Sequence, residues 1–204
     1  MFSIYKKIIY RGLIVILAAC MLIAISWGGK YITSWDFRRA MSRESMAKDA
    51  ENSQKVHDQL VEIRALTGAD RAYVFLFHNG AHLSTGLPMK KMSCAYESCA
   101  SGTASKAFEM SDLLVSRYPI LLNLLTKKPQ PYLMNVDAAE NSHFKTLKQL
   151  HGTHYVVVHL LVNDGLLIGW MGVDFHSMPV DFNSKFYTDT ALRISEIMGI
   201  PRLD

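Results

Sequence analysis

No stretch narrows the architecture more than residues 153–175, THYVVVHLLVNDGLLIGWMGVDF. Two apolar runs flank Asn163-Asp164-Gly165, and an Asp-Gly pair between such runs signals a tight hairpin, because glycine reaches positive φ without steric cost. Tyr155, Val156, Val157 and Val158 suit a pleated surface. Both runs are apolar on both faces, which places the hairpin in mid-sheet with packing on each side. Gly169 and Gly172 mark a bulge or a close approach to a neighbour.

The rest of the 204-residue chain divides by composition. Residues 1–50 carry eight Lys/Arg against three acids, whereas residues 51–204 carry fourteen against fifteen. A nucleic-acid binder carries its basic footprint on the folded domain; here the excess flanks an apolar segment, so nucleic acid is excluded as a partner. Residues 12–29, GLIVILAACMLIAISWGG, contain no charge. As a helix they reach roughly 27 Å, about one hydrocarbon core. Tyr10 and Trp27 sit at belt positions, and Arg11 can snorkel. The expected organisation is a basic tail (1–11), a transmembrane helix (12–29), a helical stalk (30–51) and a soluble domain (52–204). A single-pass protein of a bacterial inner membrane, with the bilayer as a partner, follows from it. Lys6, Lys7 and Arg11 on one flank and Lys30, Arg38, Arg39 and Arg43 on the other do not choose an orientation. Leu17-Ala18-Ala19-Cys20 resembles a lipobox, but the apolar run before Cys20 is short for a signal peptide and continues well beyond it.

Residues 35–66 contain no Pro or Gly and read as helix. Val56, Leu60, Ile63 and Leu66 form a stripe that packs either on the chain's own sheet or on the same helix of a second copy. Gly68 supplies the C-cap. Strands follow at 71–77 and 89–97, a helix at 111–125 interrupted by Pro119, and a short strand at 131–134. Asp137 caps a helix running to Leu150, the hairpin comes next, and 183–198 closes the chain as a helix.

LVEIRALTGADRAYVFLFHNG (60–80) resembles the opening helix, turn and first strand of the GAF domain family. YLMNVDAAENSHFKTLKQLHGTHYVVVHLLVNDGLLIGWMGVDF (132–175) is similar to that family's run of strand, helix, strand, Asp-Gly turn and Ile-Gly strand. The similarity spans about residues 52–200. It implies an α+β, GAF/PAS-like antiparallel sheet flanked by helices, with a ligand pocket between sheet and connecting helices. Family members bind cyclic nucleotides, haem, bilins or small metabolites, or bind nothing, so no cofactor is assigned. The expected role is a sensor or a ligand- or partner-binding module, its ligand a small molecule or protein. The chain carries no kinase, cyclase or DNA-binding segment after the closing helix, so signalling is expected through the helix or a partner.

Three residue sets could carry chemistry. The segment between the first two strands places His78, Asn79, Lys91, Ser93, Tyr96 and Glu97 where GAF members hold ligands, and strict alternation puts Lys91, Ser93, Ala95 and Glu97 on one face. His78-x3-His82 and His151-x2-His154 have spacings found in metal sites, with no HExxH or CxxC beside them. Cys94 and Cys99 are the catalytic candidates of a rival reading, the thiol-dependent methionine-sulfoxide reductases of the GAF family. Their spacing points them to opposite faces of an extended strand, and two buried thiols are the plainer account. A degenerate domain acting only as a docking surface is the other rival.

Overall fold

The computed structural model describes residues 43–82 and 88–199. The basic tail, the apolar segment 12–29 and most of the stalk lie outside them. Among the described residues no helix is long and apolar enough to cross a membrane. Residues Glu51–Asp204 form one compact unit.

Helix α1 (Arg43–Thr67) buries Val56, Leu60 and Ile63 completely, so the stripe packs on the chain's own sheet. Leu66, the fourth residue of that stripe, is 68% exposed instead. Gly68 at φ +66° ends the helix, and Ala69 N donates back to Arg64 O (3.0 Å), as a left-handed C-terminal residue allows. Strands β1 (Arg71–His82) and β2 (Pro88–Cys99) follow, then the two-residue β3 (Leu113–Leu114). A single 3₁₀ turn, Val115–Arg117, leads into α2 (Pro119–Lys127). The helix expected over 111–125 with an interruption at Pro119 is therefore corrected, since its first half is strand and turn. Pro119 opens a helix rather than interrupting one, because its missing N–H costs nothing in the first turn.

Strand β4 (Tyr132–Asn135) precedes α3 (His143–Leu150). The cap of α3 is Ser142, whose Oγ accepts from Lys145 N (3.1 Å), not Asp137. Residues 136–142 are loop because Asn135 Oδ1 accepts from Asp137 N and Ala138 N, an Asx turn that competes with helix. The hairpin β5 (Tyr155–Asn163) and β6 (Leu166–Phe175) closes on Asp164 (φ +49°) and Gly165 (φ +75°), two left-handed residues as a type I′ turn requires. Helix α4 (Ser184–Ile197), capped by Asn183, completes the chain.

The six strands are ordered β3-β2-β1-β6-β5-β4, every pair antiparallel, with the hairpin inside the sheet. One face packs on α1 and α4 through Val74, Val157, Met171, Val173, Tyr187 and Ile194. The other packs on α2 and α3 through Phe75, Val158, Trp170, Leu121, Leu125 and Phe144. Both central glycines serve close approach. A Cβ at Gly169 would lie 2.0 Å from Phe75 O, and one at Gly172 2.3 Å from the Tyr73 ring. A register shift between Leu161 and Val162 also places a bulge beside Gly169.

Candidate functional site

The sequence-chosen residues around β2 do not stay together. The β1–β2 register jumps from Val74↔Tyr96 to Phe75↔Cys94, leaving Ala95 unpaired and exposed. One extra residue inverts the alternation. Met92 and Cys94 face the α2/α3 layer before the bulge, whereas beyond it Glu97, opposite Tyr73, does so. Lys91 and Ser93 therefore do not share a face with Glu97, correcting the alternation argument.

Three separate arrangements result. Ser93 Oγ lies 2.9 Å from His78 Nε2 and accepts from Asp112 N (2.8 Å), which a φ of +57° at Asp112 turns toward it. Lys91 Nζ pairs with Asp112 Oδ2 (3.1 Å), and His78 also lines a cavity of about 460 Å³ with Phe77, Lys90, Val115, Leu122 and Leu167. Tyr96 packs in the α1/α4 layer, its hydroxyl 3.2 Å from Ser53 Oγ. Asn79 pairs with Lys90 along the ladder.

Glu97 joins a buried ionic network that sequence reasoning missed. Arg71, 3% exposed, pairs through Nε with Glu97 Oε1 (2.8 Å) and through Nη1 with Asp174 Oδ2 (3.5 Å), while Nη2 donates to Ala104 O (2.9 Å). Asp174 also accepts from Tyr73 OH (2.9 Å), Thr153 Oγ1 (3.1 Å) and Lys148 Nζ (2.9 and 3.0 Å), and Lys148 donates to the Tyr73 hydroxyl as well. Glu97 accepts from Ser105 Oγ and from the N–H groups of Lys106 (3.0 Å) and Ala107 (3.2 Å), tying the 104–107 loop to the sheet. Two cations face two carboxylates, so the cluster neutralises itself. Burial draws the Lys148 ammonium below its usual range, opposed by Asp174, and lifts the Tyr73 phenol well above its own. A signal did exist: Asp174 is the only charge in 165–175, and Lys148 stands four residues after buried Phe144, hence on its face.

The thiols are poorly placed for nucleophilic chemistry. Cys94 is buried in the α2/α3 layer, and desolvation pushes its pKa up to about 12; burial also raises Cys99. The thiolate is the reactive form. The register sets Cys94 opposite Phe75 and Cys99 opposite Arg71, and both are free. Among the described residues no three His, Cys, Asp or Glu side chains converge to hold a metal. His151 and His154 do not act as a pair. His151 lies 3.7 Å from Glu109, with its pKa lowered by burial and then by Lys148, whereas His154 Nδ1 meets Asp137 Oδ2 at 2.6 Å. The side chain of His82 lies outside the described residues.

Between the sheet and α2/α3 the centre is filled. Trp170 stacks on Phe75 (centroids 4.6 Å, 6° between planes), and Tyr73 and Phe144 meet Trp170 edge-on at 5.6 and 6.3 Å. Space opens at the flank instead, as a cavity of about 530 Å³ between α2, β4 and the loop after it. Ile120, Leu124, Tyr132 and Met134 supply apolar wall, and Asn123, Lys127, Lys128 and Glu140 supply polar groups. Those four polar side chains make no hydrogen bond or ion pair among the described residues.

No protein-family model matches the chain, and no curated protein matches it in sequence. Solved structures do match in shape. The blue-light absorbing form of the PixJ GAF domain of Thermosynechococcus elongatus aligns with a TM-score of 0.53 at 13% identity, covering 74% of this chain and 89% of that one. The GAF domain/HD domain protein of Geobacter sulfurreducens gives 0.53 at 14%, covering 72% and 91%. A structure of the cyanobacteriochrome receptor PixJ gives 0.52 at 16%, covering 74% and 96%. The chain therefore has a GAF-like fold, and at these identities the likeness extends to the fold alone.

Proposed function

We propose that this GAF-like domain is a sensor or ligand-binding module held at a bacterial inner membrane by residues 12–29, and that its ligand enters the flank cavity between α2 and β4. The carrying observation is the set of unengaged polar groups around that cavity. Lys127 and Lys128 stand beside an apolar wall large enough for a small metabolite, as binding sites with a few placed polar groups do. Unengaged ammonium groups over an apolar floor suit a ligand with an apolar body and an anionic end. The segment 12–29, charge-free and of spanning length, supports the anchor. Contact with a second copy through the stalk is compatible with this arrangement, since the buried stripe of α1 occupies only one of its faces.

The test is thermal denaturation of the full chain in detergent with cyclic nucleotides, haem, amino acids, aromatic carboxylates and cell-extract fractions. A binder at a hundredfold excess over its Kd stabilises by about 2.7 kcal/mol. Ala138 is exposed at the cavity wall, so Ala138→Trp fills the space without disturbing the core. The variant is expected to melt like the parent and lose the ligand-induced shift. A shift that survives Ala138→Trp would place the ligand elsewhere. No shift with any fraction would remove the ligand-binding reading in favour of protein docking.

A further inference from the structure

We propose that His154 and His176 form a two-imidazole chelate for a borderline divalent cation such as Zn²⁺ or Cu²⁺. The pair lies just beyond the last rung of the central hairpin, Tyr155↔Phe175, where His154 N donates to Phe175 O (3.0 Å). Sheet pairing rather than loop geometry thus sets the two backbones side by side. The rings touch, with centroids 4.8 Å apart and planes at 71°. Two imidazoles sharing one tetrahedral ion at about 2.0–2.1 Å per Zn–N bond stand about 5 Å apart by centroid, close to the separation of these two rings.

The second argument is the tautomer. His154 Nδ1 faces the Asp137 carboxylate (2.6 Å) and His176 Nδ1 faces the Gly152 carbonyl (3.2 Å). Both are acceptors only, so each Nδ1 carries the hydrogen and each Nε2 keeps its lone pair in the neutral ring. A carboxylate or carbonyl behind the ring is the arrangement that orients metal-binding histidines and raises their basicity. Asp137 is itself held, its Oδ1 accepting from Gln149 Nε2 (3.2 Å). Asp137 is therefore a positioning residue, and water completes the coordination. Both imidazoles reach solvent, with the His154 side chain 44% exposed. The site is separate from the cavity between α2 and β4.

Titration calorimetry of untagged full-length chain with Zn²⁺, and electron paramagnetic resonance with one equivalent of Cu²⁺, test it. One equivalent of Zn²⁺ and nitrogen hyperfine structure from two imidazoles are expected. His154→Gln and His176→Gln each remove that equivalent while leaving the melting temperature unchanged, and His143→Gln, an exposed histidine on α3, leaves binding intact. Asp137→Asn keeps the stoichiometry and weakens affinity about tenfold or more. An equivalent that survives either His154→Gln or His176→Gln, or no bound metal in the parent, overturns the proposal.

Discussion

Asp174 gathers more side chains than any other residue of the ionic network. Its carboxylate, in a residue 2% exposed, receives Arg71 and Tyr73 from β1, Lys148 from α3 and Thr153 from the loop before β5. Burying ions is costly, and what makes such a site tolerable is complete pairing. Removing Asp174 leaves the buried Lys148 ammonium with no carboxylate partner and the cluster with two cations against one carboxylate. Asp174→Ala is therefore expected to destabilise the protein by about 3–5 kcal/mol, read as a lower urea midpoint with an unchanged m value. Lys148→Met removes a charge but preserves the volume, and Asp174 keeps its bonds from Tyr73, Thr153 and Arg71. It should cost clearly less. Equal losses in the two variants would mean that the Lys148–Asp174 contact itself, rather than complete pairing of Asp174, sets the stability.

At the scale of elements, local hydrogen bonding outranks the reading of a helix from its acidic start. Asp137 has the composition of a cap, yet the preceding Asn135 takes the local N–H groups and delays the helix to Ser142. Ser142→Ala should accordingly lower stability by about 1 kcal/mol, the usual worth of an N-cap. Asp137→Ala, which removes only exposed contacts to His154 and Gln149, should change the denaturation midpoint much less. The bulge at Ala95 works at the same scale. Shifting pairing by one residue sends Glu97 into the buried network while Lys91 and Ser93 remain with Asp112 on the other side. No periodicity in 88–99 announces that insertion, because an exposed alanine fits a regular strand equally well.

For the molecule as a whole, the charge distribution and the folded unit call for different surroundings. The near-neutral stretch 51–204 closes two core layers about one sheet, while the uncharged run 12–29 is the segment we propose for burial in a bilayer. Full-length protein is therefore expected to remain in the membrane fraction after high-salt and carbonate washes. Mass spectrometry should find an intact N-terminus. Release by carbonate, or a chain beginning at a lipid-modified Cys20, would replace the spanning helix with another mode of attachment.

What the sequence by itself determined is the part governed by short-range rules. The Asp-Gly turn, the β-branched strands, the stripe Val56-Leu60-Ile63 and the Gly68 stop each act through neighbouring residues, and together they were enough to indicate the GAF-like order of elements. Only the tertiary structure decided the site. The Lys148–Asp174 and Arg71–Glu97 pairs join residues 26 apart in sequence, so no local pattern couples them. His154 meets His176 because a hairpin folds back, replacing the sequence-adjacent His151 as its partner. The position of the cavity follows from which aromatic rings fill the centre of a layer, a matter of volume and packing that a linear pattern does not encode.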